Sequence, residues 1–458
     1  MSLAKVAIVT SNFNSLKYIM LSKLSLYSLF RALTEGLTNE VSDCHIVLID
    51  SASTDGSYEE LRDLGIKLSK ETSIPFICKR LDKDLGNSFA YAYGWLFSRK
   101  KLNTEYVILA DNDFVVLYPK VLKELVLIAK DLFATKIKYY SIAPLHLLGY
   151  REFLNRSVKL TVSPHDLDEL GRLYLCVIND VTYNSFSYFV REVTYMDNLG
   201  RAFALPRFLC LYDFYDWLDV YVKNNTRRLL INAYNASSFA LYRADLKPLF
   251  PYMYIVGDDI ISSLEYSRRG YCNIRLLKFL GVHYVSQQGH SRRLYFTIRN
   301  DSLLNASTGT TRSLYYVIKV LRTLAITVPA YLIPLKNMFR NAKLSRRESL
   351  YGNQILHTHS FRIDTEAIKY GMLGLVHGML YYKHFKDLSR KWFNELENLH
   401  DKNLLDNFRL SFSTWATPSK PFNMIKEIIS YYMLGPGDIL NNKRSLELFL
   451  NRIRVRYR

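Results

Sequence analysis

Asp111 and Asp113 lie two apart, directly after the apolar run Tyr106-Val-Ile-Leu-Ala110. A run of β-branched and apolar residues that stops at two carboxylates puts both at the carboxyl edge of a sheet, where open α/β sheets bind ligands. Successive strand residues point to opposite faces. At a strand end, however, the backbone is turning, and both side chains can reach one ion. Carboxylate oxygens suit a hard cation such as Mg²⁺ or Mn²⁺, and such a cation neutralises a diphosphate leaving group. A second acidic pair, Asp258-Asp259, opens a helix-like segment that closes at Gly270. A helix N-terminus stabilises carboxylates, so capping alone could account for that pair. Carboxylates in loops are common, and the weight of both pairs rests on the elements that position them.

Those elements alternate over the first 145 residues. Val6–Thr10, His45–Ile49, Ile74–Cys78, Tyr106–Ala110 and Tyr139–Ala143 read as strands. Between them, Leu16–Leu33, Thr54–Leu64, Ser88–Arg99 and Pro119–Phe133 read as helices, the second capped from Ser53-Thr54-Asp55 and the last opened by proline. Near-continuous apolar strands in such alternation predict an α/β fold with a mostly parallel sheet covered on both faces. Residues 150–230 lose the alternation, become rich in Tyr and Phe, and read as an insertion. Ser237–Tyr242 reads as a strand, Ile260–Arg269 as a helix and Asn273–Ser286 as a strand. From about residue 311 the pattern is helical. The expected division is therefore 1–305 as the catalytic domain and 306–458 as a basic helical region.

Composition narrows the class. The chain has 458 residues with 49% hydrophobic content, enough for two cores. Its 5 cysteines are scattered, with no Cys-x-x-Cys pair, which argues against a disulfide framework or zinc site and for a reducing, cytoplasmic setting. No signal peptide is visible, and no uncharged apolar run approaches the roughly 18 residues a membrane span needs. The net charge of +19 is uneven, since residues 306–458 carry 24 Lys/Arg against 11 Asp/Glu. Basic surfaces meet nucleic acid, anionic lipid or phosphorylated substrates.

Several segments line up in order. Asn14 follows the first strand, Asp50-Ser-Ala-Ser-Thr-Asp-Gly56 the second, and Gly86 and Gly94 bracket the start of the helix before Asp111-Asn-Asp113. Asp258-Asp259 precedes a helix ending at Gly270-Tyr271, and Tyr295…Arg299-Asn300 follows His283 and His290. Together these resemble the family 2 inverting glycosyltransferases of GT-A fold, in particular the rhamnosyl- and galactofuranosyl-transferase-like members. The resemblance spans roughly residues 4–305. It implies a nucleoside-diphosphate sugar held by Asn14, Asp50 and Asp111, with Asp50 accepting from the nucleotide base. It implies a divalent cation, Mn²⁺ or Mg²⁺, on Asp111, Asp113 and His283, with His290 the rival histidine. Asp259 then takes the acceptor hydroxyl's proton as general base. Asp258, Arg292, Arg293 and Arg299 are candidates for the acceptor side or the diphosphate. The sequence departs from the family pattern at Ala92, Ile261 and Glu265, where Asn, an acidic residue and Arg are usual.

From Arg312 to Arg347 there are eight basic residues and no acidic one, around an apolar stretch, Leu324–Leu335, broken by Pro329 and Pro334. It is too short to span a bilayer and could lie in the interface of an anionic membrane, which suits an acceptor carried on a polyprenyl diphosphate; the acceptor expected is a glycan or lipid-linked glycan. A solvated basic face on a packed helical region accounts for the same charges. Two further readings compete. One is transfer to polyprenyl phosphate itself. The other is a basic nucleic-acid- or membrane-binding protein without catalysis, against which stands the absence of any recognition-helix or RNA-binding signature. Tyr212-Asp-Phe-Tyr-Asp-Trp217 could stack on a sugar, although core packing explains such residues equally.

Overall fold

The computed structural model describes residues 4–36, 41–151, 166–183, 189–191, 193–196, 202–205, 229–232, 234–254, 257–285, 299–300, 373–374, 377–378, 380 and 382–394. The strands are β1 (Ala4–Asn12), β2 (Val41–Asp50), β3 (Phe76–Arg80), β4 (Tyr106–Ala110), β5 (Phe114–Val116), β6 (Tyr139–Tyr150), β7 (Phe189–Arg191), β8 (Val193–Met196), β9 (Ala202–Leu205), β10 (Leu229–Asn232), β11 (Phe239–Arg243) and β12 (Cys272–Val285). The helices are α1 (Ile19–Gly36), α2 (Ser57–Thr72), α3 (Asn87–Lys101), α4 (Pro119–Ala134), α5 (Leu167–Tyr183), α6 (Asp258–Arg268) and α7 (Tyr382–Asn394).

One ten-stranded sheet organises the molecule, in the order β10-β12-β6-β11-β4-β1-β2-β3, with β5 on β12 and β7 on β6. The half β3-β2-β1-β4 is wholly parallel, each strand linked to the next in sequence by a helix. Beyond it β11 runs antiparallel to both β4 and β6, and β6 then pairs β12 in parallel. The α/β class expected from the sequence is what forms. The sheet is more mixed than the apolar runs suggested. Parallel and antiparallel central strands carry the same continuous apolar composition when both faces are covered, so direction was not readable from it.

Alternation along the strands divides the core in two. Ala7, Val9, Val47, Ile49, Val107 and Leu109 face α3 and α6, with Trp95 at the centre. Val6, Ile8, Ile46, Leu48 and Ile108 face α1, α2 and α4. The close seating of α3 has a local cause: a Cβ on Gly94 would stand 2.3 Å from Val9 Cγ1. The described part of the 306–458 region does not stand apart from this core. Leu373, Phe385, Trp392 and Phe393 belong to the α3 side, where Phe250 stacks on Phe393 at 5.7 Å and meets Phe385 edge-on at 5.1 Å. The stretches 312–347 and 212–217 lie outside the described residues. Among the described residues no helix is long and apolar enough to cross a membrane.

Candidate active site

The β4 strand ends in a turn closed by Phe114 N–H donating to the Asp111 carbonyl at 3.1 Å, while Asp111 N–H donates to the Ser238 carbonyl at 2.9 Å. Ser25 Oγ, from α1, donates to the Phe114 carbonyl at 2.7 Å. This turn sends the chain into β5, which pairs antiparallel with the far end of β12 so that Phe114 opposes His283. Tyr284 N–H then donates to the Asp113 carbonyl at 2.9 Å. Residues 170 positions apart in sequence are thereby brought into contact by backbone pairing alone. His283 Nε2 lies 3.1 Å from Asp113 Oδ1 and 3.4 Å from Asp111 Oδ2.

One ligand atom from each of Asp111, Asp113 and His283 falls within 4.8 Å of the others. Asp113 and His283 are buried, and the buried His283 Nδ1 has no hydrogen-bond partner among the described residues. Two carboxylates and an imidazole converging on one point fit a divalent cation. Mn²⁺ and Mg²⁺ both suit this donor set.

Three neighbours shape the cluster, and the sequence reading named none of them. Tyr91, fully buried on α3, donates its hydroxyl to Asp111 Oδ1 at 2.5 Å, leaving Oδ2 to face His283. Arg151, just past β6, donates to Asp113 Oδ2, while its Nε donates to the Tyr284 carbonyl at 3.0 Å. Its guanidinium covers the Tyr18 ring at 4.6 Å. His146 sits behind, its Nε2 3.2 Å from Ser238 Oγ and its ring edge-on to His283 at 6.5 Å. Burial pushes the Asp113 carboxyl up, but His283 and Arg151 outweigh it and hold the group well below the usual carboxylate range. A tyrosine on a helix and an arginine at the mouth of an insertion read as ordinary core and surface residues. Only the β6–β12 pairing gives Arg151 its place.

The second corner is built differently. Asp50 is fully buried at the end of β2 and accepts from Asn12 Nδ2 at 2.8 Å, Ser53 N–H at 2.9 Å and Ser53 Oγ at 2.6 Å. Arg80 Nε stands 3.6 Å from its Oδ2. The carboxylate that the resemblance points at a nucleotide base is thus engaged within its own loop, by Ser53 three residues on and by Asn12 of β1. Asn14, exposed and at φ 45°, joins the loops after β1 and β2. Its Oδ1 accepts from Thr54 N–H and its own N–H donates to Ser53 Oγ, both at 2.9 Å. Ser53 therefore ties loops together instead of capping α2, whose N-cap is Gly56 at φ 88°. Asp55 accepts from Ser57 N–H at 3.0 Å and from Leu16 N–H at 2.8 Å.

Asp258 and Asp259 open α6 after Gly257, as the sequence suggests. Asp258 is buried, and burial, with the charge of Asp111 adding to it, pushes its carboxyl up to about 6 against the pull of the N–H groups at the helix start. Asp259 is half-buried, its Oδ1 accepting from Ile260 N–H at 2.8 Å. The segment entering α6 is held at two points. Tyr254, at φ 74°, accepts at its carbonyl from Ser88 N–H at 3.0 Å and donates its hydroxyl to Asp84. Gly86 allows this contact, because a Cβ there would stand 2.3 Å from the Tyr254 carbonyl oxygen.

Arg299, expected on the acceptor or diphosphate side, is 1% exposed. Its Nη2 and Asn300 Nδ2 both donate to the Met253 carbonyl, at 2.9 and 2.7 Å. In this structure it braces the turn before α6. His290, Arg292 and Arg293 lie outside the described residues.

No protein-family model matches the chain, and no curated protein does. Among solved structures, the chain is similar to a mannosyltransferase from Pyrobaculum calidifontis in complex with GDP-Man and Mn²⁺. Identity there is 12% and the TM-score 0.38, over 97% of this chain and 89% of that one. It is also similar to a mannosyl-3-phosphoglycerate synthase from Rubrobacter xylanophilus at 12% identity and TM-score 0.29, over 65% and 72% of the two chains. A CMP:2-keto-3-deoxy-manno-octonic acid synthetase complexed with CTP matches at 10% identity and TM-score 0.29, over 61% and 91%. All three bear names of sugar-transferring or sugar-activating enzymes. Overlaps of this size leave the chemistry of the present chain to its own residues.

Proposed function

We propose that the chain is a nucleotide-sugar-dependent glycosyltransferase. More narrowly, we read it as a metal-dependent inverting enzyme that moves a sugar from a nucleoside diphosphate to the hydroxyl of a glycan or lipid-linked glycan. The observation that carries this is the convergence of Asp111, Asp113 and His283 at the carboxyl edge of β4, with α6 delivering Asp258-Asp259 close enough for Asp111 to act on Asp258.

Asp111, Asp113 and His283 would hold a divalent cation, which would supply Lewis-acid charge for a departing diphosphate. The protein's own residues divide the remaining work. Asn14 and Asp50 hold the loops after β1 and β2 in one shape, forming the edge on which the nucleoside lies. Tyr91 fixes the rotamer of Asp111. Asp259, at the helix N-terminus, accepts the proton of the incoming hydroxyl as that oxygen bonds to the anomeric carbon. The carbon–diphosphate bond breaks in the same displacement, so the anomeric configuration inverts and no enzymic nucleophile takes part. Residues 1–305 serve as the catalytic unit, 150–230 contribute to the acceptor side, and 306–458 form a helical region resting on it through α7. The basic stretch 312–347 would meet an anionic membrane.

The test is calorimetric titration with UDP-, GDP-, dTDP- and ADP-linked sugars, with and without Mn²⁺ or Mg²⁺, on wild type and Asp113→Ala. Binding of one nucleotide class that needs the metal and disappears in the variant supports the reading. Absence of binding by every donor with both metals rejects it. Once a donor is known, the product's anomeric configuration by NMR decides inversion, and transfer to polyprenyl phosphate alone would favour the lipid-phosphate variant.

A further inference from the structure

The Arg151–Asp113 contact has a role of its own, resting on the donor reading above: we propose that Arg151 couples cation binding to diphosphate binding. Arg151 is held in three ways, by Asp113 Oδ2, by the Tyr284 carbonyl through Nε at 3.0 Å, and by the Tyr18 ring at 4.6 Å. Its guanidinium therefore sits against the carboxylate that, through Oδ1, reaches His283. A permanent positive charge beside a cation's ligand opposes the cation, and it also occupies one of that ligand's two oxygens. The same guanidinium has a planar fork suited to phosphate oxygens. A diphosphate brings negative charge for both the cation and Arg151 and removes the conflict between them.

The arrangement makes a loaded cation without diphosphate the disfavoured state and the ternary state the favoured one. Thermodynamic linkage then requires that each ligand tighten the other. Premature occupation of the site is discouraged, and release of the diphosphate product loosens the cation.

The experiment is calorimetry on full-length wild type, Arg151→Gln and Arg151→Lys. It uses Mn²⁺ alone, and the nucleoside diphosphate with the strongest wild-type signal among UDP, GDP, dTDP and CDP at saturating Mn²⁺. Arg151→Gln is expected to bind Mn²⁺ alone on the order of tenfold tighter than wild type and the diphosphate on the order of tenfold weaker, a span typical of coupled sites. Arg151→Lys, which keeps the charge, is expected to stay near wild type for Mn²⁺ alone. A merely structural role would weaken both ligands together. Unchanged or weaker Mn²⁺ binding by Arg151→Gln overturns the proposal, and so does a diphosphate affinity that matches wild type. If no diphosphate binds wild type, the donor reading fails, and the coupling with it. The Mn²⁺ comparison still reports whether Arg151 competes with a cation at Asp113. If Arg151→Gln does not fold, a Mn²⁺ affinity of Arg151→Lys moved far from wild type overturns the idea.

Discussion

Asp50 and Asp113 are both buried carboxylates at the carboxyl edge of the same sheet, yet their surroundings differ in kind. Asp50 is hydrogen-bonded by neutral donors from within three residues and from the neighbouring strand, with the Arg80 guanidinium farther off at 3.6 Å. Asp113 is met by His283 and Arg151, brought from β12 and the end of β6. Hydrogen bonds from fixed neutral groups make a carboxylate part of the scaffold. Pairing with ionic groups leaves its charge available to whatever other charge arrives. The difference marks off the side of the sheet where strand order departs from sequence order, where a buried carboxylate meets a histidine and an arginine at close range.

Four substitutions sharpen or break this contrast. The largest effect is expected for Asp113→Asn on Mn²⁺ affinity, a loss of at least ~100-fold, close to 3 kcal/mol, read by calorimetry, while Asp50→Asn stays within about twofold. Equal losses in the two variants would erase the distinction. On stability the order reverses. Asp50→Asn turns an amide toward donors that need an acceptor and is expected to cost about 2–3 kcal/mol in urea unfolding.

Asp258 supplies a third case, a buried carboxylate whose carboxyl burial pushes up to about 6. It holds its proton more readily folded than unfolded, so its contribution is complete below about pH 4 and is lost as the pH rises through about 6. Wild type should therefore lose stability relative to Asp258→Asn across that window, on the order of 2 kcal/mol, in unfolding curves taken at half-unit steps. Parallel pH profiles would show that Asp258 is not the source. Asp113, held low, acts in the opposite sense, its contribution complete above about pH 4 and lost progressively as the pH falls below that. The smallest effect is expected for Tyr91→Phe, about 1 kcal/mol in stability with a few-fold loss of Mn²⁺ affinity. A metal affinity untouched by this change would mean that Asp111 keeps its rotamer unaided.

Much of the fold was legible because local signals sufficed. The apolar run Tyr106–Ala110, the proline opening α4 and the acidic pair opening α6 all stand where the sequence placed them. Boundaries moved by a few residues, as with β3, expected at 74–78 and found at Phe76–Arg80. His283 was legible through resemblance, and the structure adds the β5–β12 register that carries it to Asp113. What was not legible depends on long-range pairing. The reversal of β11, the reach of Arg151 and the seat of Arg299 on the Met253 carbonyl follow from strands and turns far apart in sequence. Side-chain type predicts that an arginine seeks oxygen, but not which oxygen.

The aromatic seat of α7 bears on how the protein is made. Phe250 and Tyr252, on the turn that leads into α6, are covered by Phe385, Trp392 and Phe393. During synthesis the corner of Asp111, Asp113 and His283 has all its side chains once residue 285 has left the ribosome. The seat of the acid-bearing helix waits for more than a hundred further residues, and contacts of such separation form late. A nascent chain thus carries Asp111, Asp113 and His283 well before the turn leading into α6 gains its aromatic cover.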